Sequence, residues 1–564
     1  MSDAMADVNP SSEWKLKPHP VLPSGKPCVV CILDGFGENK YKDEYNAVHS
    51  ARTPNVDKLR ANAERCRFVQ AHGTWVGLPS NDDMGNSEVG HNAIGSGKVY
   101  KQGASLVDAA LESGDLFKGD GFAQVKQAFE GHTLHLIGLL SNGGVHARYE
   151  QLKQLFQGAY EHGAKRIRLH ILTDGRDVPD GSSIEFVGQL EKDLEQLRAK
   201  GCDALIASGG GRMHVTMDRY EADWGIVERG WKAHVLGEAP HTFTKALDAV
   251  TELRKLPKAN DQFLEPFVIV DGEGKAVGTV QDGDAVVLFN YRSDRMVEIS
   301  KAFEYENFSA FDRVRYPKDL KFAGMLQYDG DLKLPKNYLV PPPFIERTSG
   351  EYMVKNGLSI FACSETQKFG HVTFFWNGNR SGYFDEKRET YVEIPSDKCP
   401  FNEKPDMKTR EITEAGIAAL KSGKYDLLRI NYASPDMVGH TGSLEATIRA
   451  CETCDECLGE LLAEVDKLGG VYLVCSDHGN ADDMVQRNKK TGQPLQDANG
   501  VNMALTSHTL APVMVAVGGA GLKDSVKMRD DLPEAGIASI TATFINLCGY
   551  EAPSDYCPTL IKTD

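Results

Sequence analysis

Three aspartates and three histidines of this 564-residue chain lie at or near the ends of short apolar runs, and these are residue types that bind divalent cations. Asp34 stands in Ile32-Leu33-Asp34-Gly35-Phe36-Gly37, directly after an apolar run over 28–33. The same residues also make an ordinary Asp-Gly turn. Asp477 and His478, in Ser476-Asp477-His478-Gly479-Asn480, follow a run over 471–474 and offer an oxygen and a nitrogen ligand side by side, with a capped turn as the alternative. Asp436 and His440 come just past the run 427–430. If a helix starts after Pro435, their spacing of four puts carboxylate and imidazole on one face, although an ordinary helical pair has that spacing too. His508, in Thr506-Ser507-His508-Thr509, is weak by itself and gains meaning only as the sixth member of the set.

Six such groups suffice for two metal ions with open positions. Two ions roughly 3.5–4 Å apart clamp the attacking and departing oxygens of an in-line displacement at phosphorus. Mixed imidazole and carboxylate ligation suits Mn, Co or Zn better than Ca, while Mg usually prefers oxygen alone, so the identity of the ion stays open.

A nucleophile for such a displacement is Ser87, in Met84-Gly85-Asn86-Ser87-Glu88-Val89-Gly90-His91. A serine capping a helix is the commonplace reading. The two are compatible, because amides at a helix N-terminus also stabilise a phosphoserine, and a neighbouring cation lowers the hydroxyl pKa as a nucleophile requires.

Arginines gather in the middle of the chain: Arg176 in Thr173-Asp174-Gly175-Arg176-Asp177, Arg212 and Arg219 within 209–220, and Arg292 and Arg295 within 290–295. Guanidinium forks match carboxylate and phosphate oxygens in pairs, so the set can hold an anion carrying both groups, though any one of them alone reads as surface solvation. Asp177 beside Arg176 is suited to general acid or base work on a substrate hydroxyl, or equally to a structural Asp-Arg pair. The run Gly209-Gly210-Gly211 lacks the G-x-G-x-x-G spacing of dinucleotide binding.

The elements that must position these residues alternate. Apolar runs over 28–33, 134–140, 167–172, 204–207, 285–289, 427–430 and 471–474 read as buried parallel strands, and helical patterns over 150–162, 183–200 and 408–422 lie between them. This is the pattern of an α/β, doubly wound sheet, whose ligands bind beyond the strands' carboxyl ends. Glycine-bearing 95–103 and proline-rich 333–343 read as linkers, or hinges, bracketing an inserted domain. The expected division is residues 1–100 with 341–564 as the metal-binding domain and 101–340 as the inserted substrate domain.

A net charge of -17 argues against nucleic acid or an anionic membrane as partner. No apolar stretch approaches a membrane span and the N-terminus lacks a signal pattern, so a cytoplasmic protein is expected, and a monomer. The twelve cysteines show no disulfide framework, and Cys451, Cys454 and Cys457 read as the buried stripe of a helix over 444–468.

The chain resembles the cofactor-independent (2,3-bisphosphoglycerate-independent) phosphoglycerate mutases in LDGFG, MGNSEVGHNAIGSG, TDGRD, GRMHVTMDRY, NYRSDR, SETQKFGHVTFFWNG, PDMVGH and SDHGN, which occur in that order between about residues 29 and 515. The resemblance implies that Asp436, His440 and His508 hold one metal ion and Asp34, Ser87, Asp477 and His478 the other, with Mn, Co or Mg as the ions. It assigns His146, Arg176, Asp177, Arg212, Arg219, Arg292, Arg295 and Lys368 to the substrate. It further implies an alkaline-phosphatase-like metal domain with a phosphotransferase domain inserted, and no need for 2,3-bisphosphoglycerate or a nucleotide.

The implied reaction is the glycolytic interconversion of 3- and 2-phosphoglycerate. Ser87 takes the phosphoryl group, glycerate turns in a site closed to water, and its 2-hydroxyl takes the group back. Asp177 handles the hydroxyl proton and Lys368 offsets charge on the group in transit. A phosphomonoesterase or phosphopentomutase shares the six ligands, and a non-catalytic anion-binding protein is the third reading. The chain departs from the pattern in the longer segment between His478 and His508, in Thr509-Leu510 after His508, in Ser293, and in its N-terminal 1–26.

Overall fold

The computed structural model describes residues 13–563 apart from 79, 219–222, 258, 329–331, 342, 344, 489 and 497–499. The chain divides into two compact units, one of Met1–Gln102 with Phe344–Asp564 and the other of Gly103–Pro343.

The first unit is built on a seven-stranded sheet in the order Glu389–Ile394, Ile360–Glu365, Leu427–Tyr432, Cys28–Leu33, Val471–Cys475, Val513–Gly518, Cys66–Val69. Pairings among the first five are parallel, and the last two strands join antiparallel. Cys28–Leu33 sits at the centre because it is apolar throughout and buried on both faces. Its side chains alternate between two cores: Cys28, Val30 and Ile32 pack with the Ser539–Leu547 helix, whereas Val29, Cys31 and Leu33 pack with the long helix Leu444–Lys467. Cys451, Cys454 and Cys457 lie on the buried stripe of that long helix. With both faces covered, the polar residues following the strands are confined to the sheet's carboxyl edge, where Asp34, Asp436, Asp477 and His478 all stand.

The second unit has its own core and its own seven-stranded sheet, ordered His241–Phe243, Phe267–Ile269, Asp203–Gly211, Arg166–Thr173, Leu134–Leu140, Ala285–Leu288, Lys321–Gly324. All of its pairings are parallel except that of Asp203–Gly211 with Phe267–Ile269. Among the described residues, no helix is long and apolar enough to cross a membrane.

Candidate active site

In the first unit, the turn after Cys28–Leu33 puts Asp34 against the other strand ends. Gly35 follows with φ at 74°, and a Cβ there would lie 2.7 Å from Asp436 Cβ, so both the left-handed backbone and the close approach demand glycine. Ser87 is the first residue of the helix Ser87–Ser96. The cap is Asn86, whose side chain accepts from Val89 N, which leaves the serine hydroxyl available for other contacts. Lys368 comes from the short helix Thr366–Gly370 after strand Ile360–Glu365. Asp436 lies in the helix Ser434–Gly439, which begins at Ser434 with Pro435 in its first turn, and Asp436 and His440 meet one turn apart.

These groups converge. Ser87 Oγ is 2.8 Å from His478 Nε2 and 3.3 Å from Asp34 Oδ1, and it accepts from Lys368 Nζ. Lys368 also donates to Asp34 Oδ1 and to Asp436 Oδ2, each at 2.8 Å. Asp436 Oδ1 lies 3.3 Å from both His440 Nε2 and His508 Nε2. Every one of the metal-type residues is buried except His440, which is partly so.

The three imidazoles are set alike. His440 Nδ1 is 2.7 Å from Thr506 O, His508 Nδ1 is 2.8 Å from Gly85 O, and His478 Nδ1 is 3.2 Å from Gly479 O. A carbonyl only accepts, so each Nδ1 carries the proton and each Nε2 presents a lone pair to the interior. Asp477 accepts through Oδ1 from Gly35 N and His478 N, while its buried Oδ2 has no hydrogen-bond partner among the described residues.

Charge is unbalanced in this cluster. Burial and the nearby Asp477 carboxylate push Asp34 up to about 6. Burial works against the Lys368 ammonium, but Asp34, Asp436 and Asp477 outweigh it and hold its pKa above the ordinary value. Burial also opposes ionisation of Asp436, yet the Lys368 ammonium carries it well below the usual carboxylate range. One ammonium faces three carboxylates, so additional positive charge is favoured.

Two sets of donors, Asp34–Asp477–His478 and Asp436–His478–His508, each lie within 4.8 Å of one another, and His440 Nε2 adds a donor 3.1 Å from His508 Nε2. Mixed oxygen and nitrogen donors, inward lone pairs and an orphaned carboxylate oxygen fit divalent cations.

The second unit assembles a different constellation. Asp174 and Asp177 follow strand Arg166–Thr173, and Arg212 follows strand Asp203–Gly211. Asp174 Oδ1 accepts from the amides of Arg176 and Asp177, both at 3.1 Å, and from Arg212 Nη1 at 2.7 Å. Arg212 Nη1 also pairs with Asp177 Oδ2 at 2.5 Å. His146 Nδ1 and Arg292 Nε stand 3.8 and 3.2 Å from Asp294 Oδ1, and Arg295 donates to Met217 O. Arg176 contacts the Met213 sulfur. Burial, reinforced by the Arg212 charge, holds His146 well below its ordinary pKa. Arg219 lies outside the described residues.

Sequence reading missed several residues that hold these groups. Asn431 donates to Asp34 Oδ2, Asn480 donates to Asp436 Oδ1, and His91 lies against Ser87 O. Asp174 and Asp294 do the corresponding work in the second unit. The signal was there in part: each is within a few residues of a recognised one, and asking where every carboxylate's second oxygen is satisfied leads to them.

Comparison with known proteins gives consistent likenesses. The metalloenzyme superfamily matches residues 26–552. A 2,3-bisphosphoglycerate-independent phosphoglycerate mutase of Mesembryanthemum crystallinum is 61% identical over 551 residues, covering 97% of this chain and 98% of that protein. The enzyme of that name from Trypanosoma brucei brucei is 58% identical over 550 residues, covering 97% and 99%. The phosphoglycerate mutase of Leishmania mexicana, crystallised at low cobalt concentration, is 57% identical with a TM-score of 0.90, covering 97% of this chain and all of that one.

Proposed function

Since this chain belongs to the metalloenzyme superfamily and, within it, to the 2,3-bisphosphoglycerate-independent phosphoglycerate mutases, we propose that it moves the phosphoryl group by way of Ser87. The enzyme interconverts 3-phosphoglycerate and 2-phosphoglycerate, a step of glycolysis. The route through Ser87 is supported by one observation above the others: a buried serine hydroxyl touched by an ammonium, an imidazole nitrogen and a carboxylate.

Asp436, His440 and His508 would hold one divalent ion, and Asp34, Ser87, Asp477 and His478 a second, with Mn, Co or Mg the candidates. When bound, such ions supply positive charge that favours the ionised serine and offsets charge on the transferred group.

The chain's own residues account for the rest. Lys368 Nζ donates to Ser87 Oγ and so favours the alkoxide form. Ser87 Oγ attacks phosphorus, the bond from phosphorus to the substrate's 3-oxygen breaks, and the departing alkoxide takes a proton from Asp177. Asp177 then accepts the proton of the 2-hydroxyl as that oxygen attacks the phosphoserine, which releases Ser87 and forms 2-phosphoglycerate. Arg212 holds the Asp177 carboxylate in place. Arg176, Arg292 and Arg295, with His146, supply donors for the substrate's carboxylate and phosphate. Lys368 also offsets charge on the group in transit.

The test is to mix enzyme with 3-phosphoglycerate, quench in acid within one turnover, and read the Ser87 peptide by mass spectrometry. Phosphate on Ser87, and turnover in Ser87→Ala reduced roughly 10⁴-fold or more, are expected. A Ser87→Ala protein that still turns over near the parent rate would end this reading.

A further inference from the structure

Behind the serine, Asp34 is linked to the serine helix by two residues that the reaction just described does not use. Asn431 Nδ2 is 2.8 Å from Asp34 Oδ2 and 3.2 Å from His91 Nε2. His91 Nδ1 is 2.8 Å from Ser87 O and 3.4 Å from Asp477 Oδ2. All of these side chains are buried.

The chemistry of the groups orders the chain of contacts. An amide nitrogen carries two hydrogens; one goes to the Asp34 carboxylate, and the other faces His91 Nε2. His91 Nε2 must therefore offer a lone pair, which places the ring proton on Nδ1, facing Ser87 O and the Asp477 carboxylate. The reverse tautomer would put N–H against N–H and would favour an Asn431 flipped to face Asp34 with its oxygen, two acceptors together. His91 thus selects which end of Asn431 meets Asp34. Asn431 in turn occupies Asp34 Oδ2, so that Oδ1 is the oxygen directed at Ser87 and Lys368. Because His91 stands one helical turn after Ser87, the same contacts tie the serine helix to strand Leu427–Tyr432. The ring itself is held by His371 and Trp376, whose centroids are 5.3 and 6.4 Å away.

We propose that Asn431, oriented by His91, is a positioning residue that fixes the rotation of Asp34 for the divalent ion nearest Ser87. A carboxylate that turns freely presents its oxygens in many directions, and restraining the oxygen that faces away from the ion lowers the cost of ordering it on binding.

The inference rests on the proposed metal site, and the experiment separates the two. Metal-stripped parent, Asn431→Leu and Asp34→Ala proteins are titrated with Co²⁺, followed by calorimetry and by visible absorption. For Asn431→Leu, binding at the Asp34–Asp477 site weakens by about 10- to 100-fold with an altered absorption band, kcat recovers in excess Co²⁺, and KM for phosphoglycerate is unchanged. Parent-like Co²⁺ affinity and spectrum, or lost activity that excess Co²⁺ does not restore, would overturn it. Should Asn431→Leu not fold, His91→Phe decides, since it keeps the ring packing and removes both nitrogens; unaltered Co²⁺ binding there overturns the proposal equally. If Asp34→Ala also binds Co²⁺ like the parent, the metal site itself is wrong; if only Asp34→Ala loses binding, this inference alone falls.

Discussion

The Nε2 atoms of His440 and His508 lie 3.1 Å apart, and both are directed at Asp436 Oδ1. Each ring has its Nδ1 against a backbone carbonyl, so two lone pairs face one another. That contact is repulsive unless a cation joins it. A proton is disfavoured in that role, because burial holds His508 well below its ordinary pKa.

A divalent ion should therefore stabilise the fold strongly. At a free concentration about 100 times its dissociation constant, each site contributes about 2.7 kcal/mol. Chelation is expected to lower the melting temperature, with Co²⁺ or Mn²⁺ restoring it, and His508→Ala should lose part of the metal-dependent increment. Melts that do not move between chelator and metal would contradict this.

Lys368 lies between Asp34 and Asp436, where it both contacts the serine and competes with any added cation. Lys368→Met should consequently split two properties that usually move together. Turnover falls about 10²- to 10³-fold, the usual loss for one donor to a developing charge. Divalent-ion affinity rises, because a like charge has been removed, while the metal-free protein loses about 3–5 kcal/mol from uncompensated buried carboxylates. Steady-state kinetics beside a Co²⁺ titration reads both, and weaker ion binding in the variant would refute the competition.

Arg212 holds Asp174 and Asp177 through one nitrogen, so Asp177 keeps its position whether or not it carries a proton. Asp177→Asn preserves a carbonyl oxygen for that contact and removes the acid. We expect kcat to fall roughly 10²- to 10⁴-fold with KM changed only a few-fold, and one limb of the pH–kcat profile to disappear. A loss confined to KM would mean that Asp177 binds substrate and does not move its proton.

Much of this was legible in sequence, for identifiable reasons. Cys28–Leu33 is an unbroken apolar run, as a strand buried on both faces must be, and the polar residues after it were therefore visible as edge residues. The run at 204–207 marked only part of its strand, which continues through Ser208 to Gly211. Glycine carries no hydropathy signal, yet the strand persists there because the missing side chain of Gly209 makes room for the Phe267 ring. Cys66–Val69 and Val513–Gly518 pair antiparallel at the sheet edge, where no βαβ alternation announces them. Within the site, aspartate and histidine declared themselves by type. Lys368 entered only through family resemblance, because a lysine is ordinarily solvated and nothing local says that this one is buried between two carboxylates. Asn431 and His91 act by hydrogen bonds across the sheet, which spacing along the chain does not encode.

A last consequence concerns acid, and it belongs to the second unit. His135, His170 and His234 form a buried line there: His135 Nε2 meets Asp284 at 3.1 Å, His135 Nδ1 meets His170 Nε2 at 2.9 Å, and Ser208 Oγ bridges His170 and His234 at 2.6 and 2.7 Å. Burial lowers all three pKa values, that of His234 to about 3, while Asp284 offsets part of the effect at His135. In the unfolded chain each returns to about 6.5, so unfolding below that pH takes up protons. Stability from these residues is thus complete above about pH 6.5 and declines as pH falls, for His234 by up to about 1.4 kcal/mol per pH unit down to about pH 3. Thr216 Oγ1 meets the other ring nitrogen of His234 at 2.8 Å, and His234→Gln, whose amide can still bond Ser208 and Thr216, should reduce the slope of stability against pH by about one proton across that window. Denaturant titrations of the two proteins at a series of pH values measure the difference directly, and parallel slopes would show that His234 does not contribute.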